Sequence, residues 1–133
     1  MPEPGTSSNN TLLYFQTRDE LVKVDLSKVI FFESDGNYTN VNFANGCKAT
    51  VLMSLTDLEE LIDSKITTQR KPFIRVGRKF IINSSYIFHI NILRQRLVLT
   101  NCLDSTIYTL TVSKEALRNI KNLYSNQSQW RQP

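Results

Sequence analysis

Five cations stand close together in the second half of the chain: Arg70, Lys71, Arg75, Arg78 and Lys79, leading directly into the apolar run Phe80-Ile81-Ile82. Guanidinium and ammonium groups beside a well-formed strand are what a polyanion-binding surface needs, because each phosphate neutralised releases condensed counterions. A merely solvated basic face would hold the same residues, so two readings stay open. The cluster is part of a wider asymmetry. Residues 65–133 hold twelve Lys and Arg against two acids, Asp104 and Glu115, whereas residues 1–64 hold four against ten. The formal balance is −6 for the earlier part and +10 for the later, giving the net +4.

Residue types that carry catalysis are sparse. The one histidine, His89, lies in an apolar strand, where a core or sheet residue is a commoner role than a catalyst. Glu33 and Asp35 stand near each other at a strand end, and such a pair could do acid–base work or bind a cation. No third ligand is in view, and Asp35 sits where a turn-stabilising carboxylate is expected. GxGxxG, Walker A, HExxH, GxSxG and EF-hand patterns do not occur. The chain therefore reads as no enzyme, with no cofactor and no metal site. Cys47 and Cys102 match no CxxC or zinc spacing and read as buried or half-buried free thiols.

At 133 residues, 41% hydrophobic and 21% charged, the chain has the size and composition of one globular domain. No apolar run is long enough to span a bilayer, so no membrane insertion is expected. The start carries no basic segment followed by an apolar one, which favours the cytoplasm. Residues 1–10 read MPEPGTSSNN and residues 126–133 NQSQWRQP, a disordered tail and a loose C-terminal tail around a domain over 11–125. Trp130 in the latter reads as an isolated exposed aromatic.

Between the tails the period is mostly two. Strands are predicted over 12–16, 20–24, 29–33, 38–43 and 47–51, with turns at Ser34-Asp35-Gly36-Asn37 and Asn45-Gly46. Residues 54–64 switch to a helical period, with Leu55, Leu58, Leu61 and Ile62 on one face, Ser54 as cap and Asp57 near the positive end of the dipole. The acids on its outer face should point away from any nucleic acid. Strands return over 73–76, 80–82, 86–91, 96–100 and 106–112. A last helix runs from a Ser113 cap to about Tyr124, with Leu117, Ile120, Leu123 and Tyr124 as its buried stripe and Lys114, Arg118 and Lys121 on a basic edge.

The order of these segments resembles the LytTR family of bacterial DNA-binding domains, output domains of two-component response regulators. Residues 25–38, DLSKVIFFESDGNY, are similar to the family's "dI.yiea.gnY" segment. Ser54-Leu55 through Leu61 resembles its "sL..le..L" helix. Residues 73–83, FIRVGRKFIIN, resemble "F.rvHRS.lVN", and Thr111-Val112-Ser113-Lys114 stands in place of "vpvSR". Four segments in the right order, across about residues 12–124, carry the resemblance. Two departures stand out: Gly77-Arg78-Lys79 replaces His-Arg-Ser, and Lys114 replaces a terminal Arg, giving up the planar fork that pairs bidentately with guanine.

The resemblance implies a mainly β fold, short antiparallel strands in small sheets with two short α-helices, whose loops enter successive DNA major grooves. Carried over by position, three segments face DNA: Asn37, Tyr38, Thr39 and Asn40; Arg75, Arg78 and Lys79; and Ser113 with Lys114. Arg78 is the candidate for reading guanine and Asn40 for adenine. Lys79, Lys114, Arg70 and Lys71 suit phosphates, and Ser113 sits at a helix N-terminus able to receive one. The alternatives are a surface ion pair of Arg78 with Asp104 or Glu115, a structural pair of Arg75 with Glu33 or Asp35, and solvated Arg94 and Arg96. The expected partners are double-stranded DNA, a second copy on an adjacent repeat, and a separate sensor or regulatory protein. A complete chain would have no built-in input domain. The competing function is a protein-interaction module on the same scaffold.

Overall fold

The structure, a computed structural model, describes residues 11–66 and 71–125. Both expected tails, Arg70 and Trp130 lie outside the described residues. The elements in order are β1 (Leu12–Gln16), β2 (Leu21–Asp25), β3 (Val29–Asp35), β4 (Tyr38–Phe43), β5 (Lys48–Val51), α1 (Leu55–Lys65), β6 (Phe73–Val76), β7 (Phe80–Asn83), β8 (Ile87–Asn91), β9 (Arg96–Thr100), β10 (Ile107–Thr111) and α2 (Lys114–Asn122). The strands form a five-stranded sheet in the order β5-β4-β3-β7-β6, a three-stranded sheet β10-β9-β8 and the hairpin β1-β2, all antiparallel. The fold is mainly β with two short helices, as the resemblance implies.

The five-stranded sheet is covered on both faces, which explains why β3 opens on the unbroken apolar run Val29-Ile30-Phe31-Phe32. One face packs Phe32, Val41 and Ile81 against the β1-β2 hairpin and α1, through Leu13, Val24, Leu55, Leu58 and Ile62. The other packs Phe31, Phe80 and Ile82 against the three-stranded sheet and α2, through Leu97, Leu99, Leu110, Leu117 and Ile120. A bulge in β3 between Val29 and Phe31 puts the consecutive residues Ile30 and Phe31 in the same core, where strict alternation would separate them. Phe31 meets Tyr108 edge-on at 5.1 Å between ring centroids, joining the two larger sheets.

Both helices begin as their sequences predict. Ser54 Oγ accepts from the Asp57 N–H at 3.1 Å, and Ser113 Oγ from the Ala116 N–H at 3.2 Å. Leu117 and Ile120 are buried, but Leu123 is 61% exposed. It stands roughly 120° around the helix from Leu117, beyond the edge of the buried stripe.

Other expectations change. Short 3-10 turns at Leu26–Lys28 and Ser84–Tyr86 follow Asp25 and Asn83, so Tyr86 precedes β8 instead of belonging to it. Buried Asn83 donates from Nδ2 to the Val29 carbonyl at 2.9 Å and accepts from the Ser85 N–H at 3.0 Å, tying β7 to β3. His89 is exposed, next to a bulge between Ile87 and His89. Cys47 and Cys102 are both free and both exposed, because each sits in a turn between strands and not on an inward-facing strand position. Among the described residues no helix is long and apolar enough to cross a membrane.

Candidate nucleic-acid interface

Strand register brings two of the three segments together at one end of the five-stranded sheet. Asp35 pairs with Tyr38 across the two-residue turn Gly36-Asn37, and Val76 pairs with Phe80 across the loop Gly77-Arg78-Lys79. Because Glu33 lies opposite Phe80 and the Ser34 N–H donates to the Lys79 carbonyl at 2.8 Å, turn and loop are neighbours. The third segment comes from the other side. Val76 to Phe80, with Thr111, Val112, Ser113 and Ala116, enclose a cleft of about 180 Å³ between the loop and the start of α2.

Both hairpin connections need a glycine at their first position, since Gly36 has φ +62° and Gly77 φ +64°. A residue with a Cβ would be strained at Gly77 in this backbone, so the glycine and the loop conformation fit each other.

The individual side chains divide into free and committed groups. Arg78 is exposed and has no ion pair among the described residues. Neither Asp104 nor Glu115 pairs with it. Asp104 instead is held below the usual carboxylate range by a hydrogen bond from the Thr106 side chain, then by the Thr106 N–H at 2.7 Å and Asn101 Nδ2 at 3.1 Å. Ser113 and Lys114 are exposed beside the same cleft, at the end of α2 where the first backbone N–H groups lack helical acceptors. Asn37 is exposed and Tyr38 is 49% exposed. Lys79 Nζ lies 3.6 Å from Glu33 Oε2 and 5.7 Å over the Phe80 ring.

Thr39 departs from its expected place on this surface. It is fully buried, and its hydroxyl donates to the Met53 carbonyl at 2.8 Å, securing the connection into α1. Strand alternation turns Thr39 inward because its neighbours Tyr38 and Asn40 face the other way. The Asn40 amide is engaged at both ends: Nδ2 donates to Asp35 at 3.3 Å, and Oδ1 accepts from Thr50 at 2.8 Å.

Arg75 pairs with neither Glu33 nor Asp35. Its Nη1 donates to Glu59 at 3.0 Å and to Thr56 at 3.4 Å, both on α1, while Nε donates to the Gly77 carbonyl at 2.8 Å. Lys71 Nζ lies 3.7 Å from Asp63 of the same helix. Two acids of the helix's outer face thus turn toward the basic segment, and α1 is not a purely solvated acidic face.

A second hollow of about 390 Å³ shares Lys79, Phe80 and Thr111 with the first and runs along Glu33, Lys48, Tyr108 and Thr109. Lys48 comes from β5, and only its charge marked it in the sequence. Among the described residues no three His, Cys, Asp or Glu side chains come together as metal ligands would.

A family model described as the LytTr DNA-binding domain matches residues 19–125. A solved structure from Bacillus cereus, described as the LytTr DNA-binding domain of a methyl-accepting/DNA response regulator, superposes with a TM-score of 0.62 at 24% identity. The match covers 86% of this chain and 97% of that one. No curated protein matches the chain. With the family model spanning every element from β2 to α2, the chain belongs to the LytTR family of DNA-binding domains.

Proposed function

We propose that this chain binds double-stranded DNA sequence-specifically as a bacterial transcriptional regulator, its loops entering successive major grooves of a promoter repeat. One observation carries the reading: Arg78, without an ion pair among the described residues, lines with Lys79 and the capped start of α2 a single cleft, beside the Gly36-Asn37 turn. A free guanidinium on a short, defined loop suits bidentate bonding to guanine O6 and N7. Lys79 and Lys114 suit phosphates on either side, and Ser113 with the N–H groups of the first turn of α2 can receive another. Asn37 and Tyr38 approach from the adjoining turn. Arg70 and Lys71 remain phosphate candidates, Lys71 at the expense of its contact with Asp63. Asn40 reads adenine only by exchanging Asp35 and Thr50 for the base. Thr39 supports the strand and offers DNA nothing.

The reading includes a second copy on an adjacent repeat, a separate sensor or regulatory protein, and action in the cytoplasm. Salt dependence tests it against the protein-interaction alternative. Contacts from Arg70, Lys71, Lys79 and Lys114 to four phosphates give a slope of log K against log salt of roughly −4. A slope near zero for duplex DNA overturns the reading.

A further inference from the structure

We infer that Glu59, on α1 and outside the DNA-facing surface, is a positioning residue that sets the Gly77-Arg78-Lys79 loop through Arg75; the inference rests on the DNA-binding reading above. The chain of contacts is continuous. Glu59 Oε1 accepts from Arg75 Nη1 at 3.0 Å, and Thr56 Oγ1 supports the same nitrogen at 3.4 Å. The Nε of that guanidinium donates to the Gly77 carbonyl at 2.8 Å. The Arg75 side chain is 22% exposed and that of Glu59 38%, so the pair is partly sheltered from water.

The Gly77 carbonyl belongs to the peptide that begins Arg78. Gly77 is in the left-handed region at φ +64°, and an added Cβ there would meet nothing within 4 Å. The space a side chain would fill at Gly77 is open, so no Cβ contact fixes this peptide. Beyond the Val76–Phe80 pairing, hydrogen bonds at its two ends orient the loop: the Lys79 carbonyl takes the Ser34 N–H at 2.8 Å, and the Gly77 carbonyl takes Arg75. A planar guanidinium can serve an acid through one edge and a carbonyl through Nε at once, which a lysine ammonium cannot do with fixed geometry. Arg75 thus acts as a strut between α1 and the loop, and Glu59 fixes the strut's angle.

The sign of one experiment separates this role from that of an ordinary surface acid. Removing a negative charge near a DNA-binding face should tighten DNA binding in general. Removing a positioning residue should weaken specific binding and leave non-specific binding unchanged or stronger. The probes are the duplex most enriched by the wild-type protein from a random pool and a scrambled duplex of the same composition. For Glu59→Ala the affinity for the enriched duplex should fall about tenfold, the scale of one lost charge-assisted hydrogen bond. Affinity for the scrambled duplex should hold or rise, with an unchanged salt slope. Glu59→Gln, which keeps an acceptor oxygen, should recover part of the loss, and it decides the matter if Glu59→Ala fails to fold. Tightening on both duplexes, or equal weakening on both, overturns the positioning role. If wild type enriches a duplex and Arg78→Ala loses it while both Glu59 variants retain it, the positioning role alone fails. If wild type enriches nothing, the DNA-binding reading fails and takes this inference with it.

Discussion

Replacing Glu33 with Gln should strengthen DNA binding, because it frees Lys79. The ammonium lies 3.6 Å from the carboxylate. At that separation the attraction is about 1 kcal/mol in full water screening and between about 4 and 5 at an effective dielectric near 20. With Lys79 65% and Glu33 35% exposed, the pair belongs at the weak end, where exposed ion pairs contribute about 0.2–1 kcal/mol. A phosphate approaching Lys79 must displace that carboxylate and tolerate its charge. Removing the charge in an isosteric amide should therefore raise affinity by up to about fivefold. The β3–β7 pairing of Glu33 with Phe80 uses backbone and should persist. Fluorescence anisotropy with a labelled duplex reads the effect, and the gain should shrink as salt screens the pair. Unchanged or weaker binding at low salt would refute the idea that Lys79 meets a phosphate against the pull of Glu33.

Three further outcomes concern the scaffold. Asn83→Ala strands the buried Val29 carbonyl and removes the cap on the Ser85 N–H, and should cost about 1–3 kcal/mol in denaturant unfolding. Burial would raise the Asp25 carboxyl, but bonds from Ser27 and Thr11 and the charge of Lys28 outweigh it, so its pKa is lowered on folding. The stability it contributes is present above the unfolded value and lost as pH falls through the folded one. Asp25→Asn should accordingly flatten the acid limb of a stability–pH curve below about pH 4. Finally, a thiol reagent should label both Cys47 and Cys102 in the native protein without denaturant, since both are exposed.

Local signals carried much of the fold into view. The turn residues Gly36-Asn37 and Asn45-Gly46 mark chain reversals wherever they fall, and Ser54 followed by Leu55, Leu58 and Ile62 declares a helix start by itself. The strand bounds of β1, β6 and β9 follow directly from such patterns. What stayed hidden depends on partners distant in the chain. Cys47 and Cys102 looked like inward-facing thiols until the turns that hold them were known. The bulge that sends Ile30 and Phe31 into one core is set by pairing with β4, not by composition. The basic cluster was legible as charge, but charge does not say which cation is free. Arg75 meets an acid 16 positions earlier and Lys79 one 46 positions earlier, and only the packing of α1 and β3 beside β6 and β7 makes those pairs. Among the described residues, that sorting leaves Arg78 exposed and without an ion pair.

The most direct test of DNA reading by Arg78 is a selection of duplexes from a random pool at near-physiological salt, run in parallel with wild type and Arg78→Ala. Wild type should enrich a repeated motif, and the variant should lose about 1–3 kcal/mol on that motif and its preference at one position. Equal losses on the motif and on random DNA, or enrichment without any motif by wild type, would contradict it.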